Sequence, residues 1–503
     1  MNSTSSQPSH FLSTLPIFHI ARIVLEAKTP LAVCSGRTNR VFDSDLVRDA
    51  SGLPMIPGTA IAGVLRHLYQ TVHGSGAKDT VDSDRVFGFQ DRALGGASHL
   101  EVSAAVIHNS HDKPAQAHDD CRDLLLNFAA RLQPEFRERV AISDAGVARD
   151  MGKFDRAILP AGFRFSVELV LHESSNIPSQ WQDLLDLLRH PLFRLGASTR
   201  AGLGAISVVR IATASWDLRI PDEAEQYRQL SSQIGDVSSL KNLASPMPSE
   251  IPPTSYALHD YSVALTPLAG WRFGEGLASL LVNNGSDKKV ADMLPKTERR
   301  IHWVNGNGKL GESQILLPAA SIKGALWHRT YFHACCYANK LVDAEDAAPS
   351  AADVMPEKVN AAMTALFGDA AQHATGTGNV GNVIIDDVFI DVPKSPDKVI
   401  GQQMHNVIDR FSGGVRNRML FSEELLFNLG EINIAIWIDQ TRMAKQHPEA
   451  CDLAIKSFTQ ALEDLSAGRL ALGGGTSKGH GYFSATRKPP TNSLSNASHP
   501  ASA

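Results

Sequence analysis

The chain has 503 residues, 43% of them hydrophobic and 20% charged, with a formal net charge of −5 at pH 7. That length is more than one hydrophobic core organises and points to two or three ordinary globular domains. No apolar run approaches the roughly 20 residues that span a bilayer, and the acidic balance withholds the basic excess usual in a non-specific nucleic-acid binder.

Residues 1–15 read as a disordered tail, Ser-rich and without the basic-then-apolar order of an export signal, so the cytoplasm is the expected compartment. The five cysteines form no Cys-x-x-Cys pair, and Cys335-Cys336 falls in a helical pattern that suits reduced core thiols. β-branched, alternating residues from Phe18 to Val33 predict a long first strand. Residues 34–52 are polar and charged without helical period, hence a loop, and they include Asp43, Asp45 and Asp49. A helix follows Pro57, with Ile61, Val64, Leu65 and Leu68 at helical spacing. A strand is predicted over 100–107, a helix over 120–132, a hairpin arm over 140–154 returning into a strand over 164–171, and a helix over 179–190. A Gly-rich loop, 195–204, leads to a last strand over 205–209. Residues 212–255, with five prolines among many Ser and Glu, read as a linker holding one short helix. Residues 487–503 read as a second disordered tail.

The same order recurs after the linker. Ile56-Pro57-Gly58-Thr59-Ala60-Ile61-Ala62-Gly63-Val64-Leu65-Arg66-His67 is echoed by Leu317-Pro318-Ala319-Ala320-Ser321-Ile322-Lys323-Gly324-Ala325-Leu326-Trp327-His328, followed by Arg329. Phe87-Gly88 is echoed by Phe367-Gly368, 100–107 by 383–390, and the loop 195–204 by 472–481. Four matches in one order indicate a tandem duplication: a first unit over 16–211 and a second over 256–486. Each runs strand, helix, strand, arm, strand, helix, Gly loop, strand. That is the β-α-β-β-α-β order of an α+β, ferredoxin-like (RRM-like) domain with an inserted arm and helical insertions.

The duplicated features suit phosphate. Gly473, Gly474, Gly475, Thr476, Ser477 and Lys478 offer amides, hydroxyls and a cation in one short loop, with Arg200 and Ser198 in its duplicate. A tight turn before the last strand accounts for either loop as simply. Neither contains Gly-x-x-x-x-Gly-Lys-Ser/Thr, so no nucleotide cofactor is implied. Gly58, Thr59, Gly63 and Arg66 in one helix start, and Ser321, Lys323, Gly324 and Arg329 in the other, place small residues and cations where a helix favours anions; a solvated surface is the plain alternative. His108-x-x-His111 with His118 and Cys121 has spacing open to zinc, in surroundings that read as a polar loop.

Gly-x-Pro-x-Ile-Pro-Gly-x-x-Ile-x-Gly-x-Leu-Arg over 52–66, then Phe-Gly, then a Gly-rich loop, resembles the RAMP superfamily, and most closely the backbone subunits of type III CRISPR effector complexes. Ile408-Asp409-Arg410-Phe411-Ser412-Gly413-Gly414-Val415 leading to Leu420-Phe421 is similar to that family's Ile-Asp-Arg segment. The resemblance implies a guide RNA gripped by its backbone, a complementary target RNA, other effector subunits as partners, and no membrane. It also implies arms acting as thumbs, with Arg410 on RNA. In the family a catalytic aspartate precedes the Pro-x-Ile-Pro-Gly string; Asp43 matches best and Asp45 next, with a divalent metal ion (Mg or Mn) held at Asp43. In the second unit Asp292 or Asp287 could take that place. Two other readings stay open: a non-catalytic RNA-binding scaffold, and a guide-processing endoribonuclease, for which His480 beside the second loop is the visible candidate.

Overall fold

The computed structural model describes residues 15–36, 43–73, 83–91, 94–116, 122–131, 135–143, 146–174, 178–243, 258–274, 276–281, 290–339, 356–369 and 378–487. The expected tails 1–15 and 487–503, except Leu15 and Arg487, lie outside these residues, as do Asp287, His118 and Cys121.

In the first half, β1 (Ile17–Ala27) leads to α1 (Gly58–His73), the short strands β2 (Leu100–Val102) and β3 (Val106–Ile107), and α2 (Leu124–Ala130). The arm is β4 (Glu135–Ile142) paired with β5 (Ala148–Ile158), followed by β6 (Arg164–Glu173), α3 (Pro178–Leu187), the two-residue β7 (Ala201–Gly202) and β8 (Ile206–Asp217). β8 and β6 flank β1 antiparallel, and β2 and β3 pair with the far side of β6. On β1, Ala21, Ile23 and Leu25 form one buried row and pack with Ile61, Leu65, Leu68, Leu184 and Leu188 of the helical layer. Period 2 in the strand meets period 3.6 in the helix, which is what the duplicated motif encodes.

The opposite face of β1 corrects the linker expectation. β8 continues to Asp217, α4 spans Pro221–Arg228, and β9 (Lys241–Leu243) adds an edge strand to β8. Ile20, Ala212, Trp216 and Leu240 form a second small core there. The buried Arg22 binds Glu168 at 2.7 Å and donates to the carbonyls of Ser231, Gln233 and Asp236. A buried guanidinium needs such acceptors, so residues 212–243 belong to the first half; 244–257 lie outside the described residues.

The second half starts with β10 (Leu258–Asp260) and β11 (Val263–Pro267), which continue one line across a break at Tyr261-Ser262. A hairpin, β12 (Thr297–Val304) and β13 (Asn307–Leu317), turns through Asn305 (φ 50°) and Gly306 (φ 73°). Two consecutive positive φ values make the tight turn that Asn-Gly prefers. Then come α5 (Ala319–Tyr337), α6 (Glu357–Phe367), β14 (Val383–Asp386) and β15 (Val388–Ile390). The second arm is β16 (Ile400–Ile408) with β17 (Val415–Leu426), followed by β18 (Ile432–Ile434), β19 (Ile436–Asp439), α7 (Cys451–Ser466) and β20 (Phe483–Arg487). β20 pairs with β11, β11 with β18, β10 with β19 and β19 with β14, all antiparallel. The chain-order positions are those of the first half: last strand, first strand, strand after the arm, strand before the arm.

The halves share a buried boundary. β7 adds parallel to β14, pairing Ala201 with Ile385 and Gly202 with Asp386. The β12–β13 hairpin reaches into the first half: Ile301 N donates to Ala161 O, Trp303 Nε1 donates to Gly162 O, and Ile301 and Ile384 sit in the first half's core. Gly162 is required there, because a Cβ would meet Ile301 O at 2.2 Å. Arg137 bridges Glu298 (2.6 and 2.8 Å) and Asp387 (2.6 Å), and Arg194 binds Asp386 at 2.6 Å, all of them buried or nearly so.

Candidate nucleic-acid interface

Two loops, two arms and two helix starts bear the expected site residues, and the duplication lets each be compared with its twin. The Gly loops have one backbone. Ser198 (φ 55°) matches Gly475 (φ 73°), and Gly202 (φ 97°) matches Gly479 (φ 87°). Ala197 N donates to Ala32 O as Gly474 N donates to Arg272 O, each at 2.8 Å. Of the amides expected in the second loop's nest, those of Gly474 and Lys478 are used inside the protein. The N–H groups of Gly474, Lys478, Gly479, His480 and Gly481 are all bonded within the protein. What the second loop presents is side chains: Thr476, Ser477 and Lys478 are exposed on a single helical turn.

The first loop is covered instead. Lys323 Nζ donates to Arg200 O (3.1 Å) and Val383 O (2.9 Å), so this cation, expected to face RNA, ties the loop to α5. Burial, with Arg200 and Arg139 adding, lowers its pKa to about 7. Beside it Arg139 donates to Ser198 Oγ (3.2 Å) and Ala201 O (3.3 Å), and Arg156 donates to the same Ser198 Oγ at 2.6 Å. Burial and the neighbouring Arg137 and Arg156 hold Arg139 down at about 10. Arg139, Arg156, Arg200 and Lys323 thus form a basic seam along the boundary of the halves. Arg139 and Arg156 escaped the sequence reading, although Arg137 and Arg139 alternate on β4 and strand period places them on one face.

The helix starts divide in role. Gly63 and Gly324 are both exposed, with nothing within 4 Å of the position a Cβ would take, so an incoming backbone can approach both helices. Thr59 and Ser321 are exposed on the first turns. Gly58 is corrected: a Cβ there would meet Val102 O at 2.1 Å, so it packs α1 on β2. Arg66 pairs with Asp84 at 3.0 Å, half in solvent. Arg329 is also corrected, since it binds Asp464 of α7 together with His333 and Arg469.

Two of the loop aspartates are held alike, Asp43 in the first half and Asp292 in the second. Asp43 N donates to Asp155 Oδ1 (2.9 Å) and Asp43 Oδ2 accepts from Asp155 N (3.1 Å). Asp292 N donates to Ser422 Oγ (3.3 Å) and Asp292 Oδ2 accepts from Ser422 N (2.8 Å). Each aspartate is exposed and holds the returning strand of its own arm, so Asp292 is the twin of Asp43. Asp45 lies two residues on, its carbonyl accepting from Ser35 N and its carboxylate from Leu46 N. Among the described residues no three His, Cys, Asp or Glu side chains are grouped to hold a metal ion by themselves. The carboxylates of Asp43 and Asp155, each accepting from the other residue's backbone N–H, are oxygen donors of the kind a hard divalent cation takes. His108 is corrected as a ligand candidate: it is buried, with Nδ1 on Asp112 and Nε2 on Ser166, each at 2.8 Å.

The arms project apolar side chains. Met151 is 95% exposed on the first and Phe411 101% on the second, with Met404, Ile408, Val415 and Leu420 alongside. The Phe411 turn is organised by Asp409, whose Oδ1 accepts from Phe411 N and Ser412 N, and Arg410 is exposed in it. No described helix is long and apolar enough to cross a membrane. The sequence model of the RAMP superfamily matches residues 24–207 and 284–484. No curated protein matches the chain.

Proposed function

A chain matched over both halves belongs to the RAMP superfamily, and from that premise we propose that it is a guide-RNA-binding backbone subunit of a type III-like CRISPR effector complex. Its first half cleaves the guide-paired target RNA with a divalent metal ion. Each half is a ferredoxin-like domain; the repeated strand order, with helices before and after the arm, supports this reading. The chain works in the cytoplasm with guide RNA, target RNA and other effector subunits.

The observation that carries RNA binding is the basic seam. Two guanidinium groups share the single Ser198 hydroxyl, and burial, with the charges of Arg137 and Arg156 adding, lowers the pKa of Arg139. A phosphate is a stronger acceptor for such a pair than a neutral hydroxyl. The seam also answers the acidic net charge, since a local channel suffices to follow a sugar–phosphate backbone without reading sequence. Base pairing then supplies specificity.

For cleavage, Asp43 sits at the foot of the first arm, fixed by its two-way bonding with Asp155. Those two carboxylates would hold the cation, which supplies charge stabilisation at the phosphate and acidifies a ribose 2′-hydroxyl. The arm's exposed Met151 and Phe154 would separate bases beside that position and present the backbone to Asp43. In the assembled complex Asp43→Ala is expected to slow target cleavage about 10²–10⁴-fold with RNA binding retained; unchanged cleavage removes Asp43 from the mechanism. The scaffold reading has one observation of its own, that Asp43 and Asp292 each fasten an arm, which a purely architectural aspartate would also do.

A further inference from the structure

The short helix Gln440–Gln446 of the second half brings Arg442 against His67 of α1 in the first. Arg442 Nε and Nη1 are buried without an acceptor among the described residues, and Arg156 Nε is buried in the same way. A guanidinium stays charged and offers five donors. A buried donor without an acceptor is costly, and in a native protein it calls for a ligand or ion to meet it. We propose that Arg442, with His67 of α1 and Arg200 of the first Gly loop, binds one phosphate group of the RNA strand, so that the strand crosses from the first half to the second at this point. This rests on the RNA-binding reading above and carries it past the seam.

The cations form a continuous row. The charges of Arg442 and Arg200 both act on the His67 ring, and Lys323 Nζ donates to Arg200 O. Arg139 acts on Lys323 and shares the Ser198 hydroxyl with Arg156. The row thus draws on α1, the first loop and the first arm from one half, and on α5 and the short helix from the other. Two carboxylates lie beside it, and both are engaged. Asp387 holds Arg137 Nη1 at 2.6 Å and Ala319 N at 2.8 Å, and Asp439 accepts from Arg442 N at 3.0 Å. His67 is exposed, so a phosphate reaches the row from solvent there. Desolvation, with the charges of Arg442 and Arg200 adding and Asp439 opposing, holds the His67 pKa below the usual histidine value. An anion among these groups offsets the repulsion, so binding draws a proton onto His67.

The second half answers with other residues. At the twin positions of Arg139, Arg156 and Arg200 it places His405, Glu423 and Ser477. Arg139 pairs across its arm with Phe154 as His405 does with Phe421. Its loop cation Lys478 already has a carboxylate, Glu423, which also gathers His405 and His480. The repulsion left unbalanced therefore lies at the boundary of the halves.

The test measures binding of a labelled single-stranded RNA to the full chain at several salt concentrations and from pH 8 to pH 6. Arg442→Gln is expected to weaken binding about tenfold and to reduce the slope of log affinity on log salt by about 0.7, the share of one phosphate on a single strand. Its melting temperature without RNA should hold or rise, because a like charge is gone; a merely structural arginine would lower it. The parent's affinity is expected to rise as pH falls, since the bound ring titrates above the free one. His67→Gln should lose up to about tenfold of that rise, a shift of one pKa unit, chiefly below pH 7, where Lys323 is already charged. Unchanged affinity and salt slope in Arg442→Gln, or a lowered melting temperature, overturns the site and leaves the RNA-binding reading standing. Inorganic phosphate separates the sources of the anion: if it stabilises the parent and not Arg442→Gln while RNA binds both alike, the site takes free phosphate and the crossing is overturned. Failure of the parent to retain RNA overturns both readings.

Discussion

The two Gly loops share a backbone to the level of individual positive-φ residues, yet one is sealed and the other open. In the first, β7 pairs with β14, and Lys323 clamps the carbonyl of Arg200. In the second, Thr476 to Gly479 stand in solvent over a charged cluster. Loop conformation is thus set locally, by ring-closing bonds such as Leu195 N to Gly204 O and Leu472 N to Gly481 O. Role is set by what faces the loop: arginines and a partner half in one case, histidines and water in the other.

The sharpest way to break the contrast is to remove the seal. Arg137→Ala leaves Glu298 and Asp387 buried without their cation and is expected to cost about 3–5 kcal/mol, read by chemical unfolding. The corresponding arm position in the second half, Gln403, should tolerate Ala with little change. Next, alanine at Gly202 and at Gly479 shares a left-handed strain of about 1–2 kcal/mol. Only at Gly202 does the new Cβ meet Asp387 Oδ1, at 2.1 Å. That overpacking adds about 1–3 kcal/mol, so equal losses in the two variants would show that the first loop is not sealed. A pH-dependent effect concerns Lys323. Its pKa falls from 10.5 unfolded to about 7 folded, so the unfolded chain binds more protons across that window. Stability should therefore rise from pH 7 upward and level off above the unfolded value, by at most about 1.4 kcal/mol per pH unit. Lys323→Met is expected to flatten that rise in melting temperature.

Much of this pattern was legible in the residues. The spacing of Ile61, Leu65 and Leu68 gave α1 and its buried face, and the matched Gly positions gave both loops. Other features were hidden for physical reasons. Arg22 is held largely by backbone carbonyls, which no side-chain pattern reveals, so residues 212–243 read as a linker. The β12–β13 hairpin had a local signal, Asn305-Gly306, but its docking into the other half depends on distant Gly162. Cations on a first helical turn read alike whether they meet solvent or a neighbour, so Lys323 was placed on the wrong side. The likeness of Asp292 to Asp43 showed only once Ser422 was beside it, and His480 gained its companions only when the second arm brought His405 and Glu423 to the loop.

The hairpin that carries Trp303 to the Gly162 carbonyl has an evolutionary consequence. A freshly doubled gene can discard either copy, because each product still folds alone. Once one copy's tryptophan donates to the other's Gly162 carbonyl and its acids neutralise the other's arginine, deleting either leaves the survivor with an orphaned carbonyl or a stranded charge. The fusion has become a ratchet: the two copies are free to specialise in chemistry, as Arg139 and His405 illustrate, but no longer free to part.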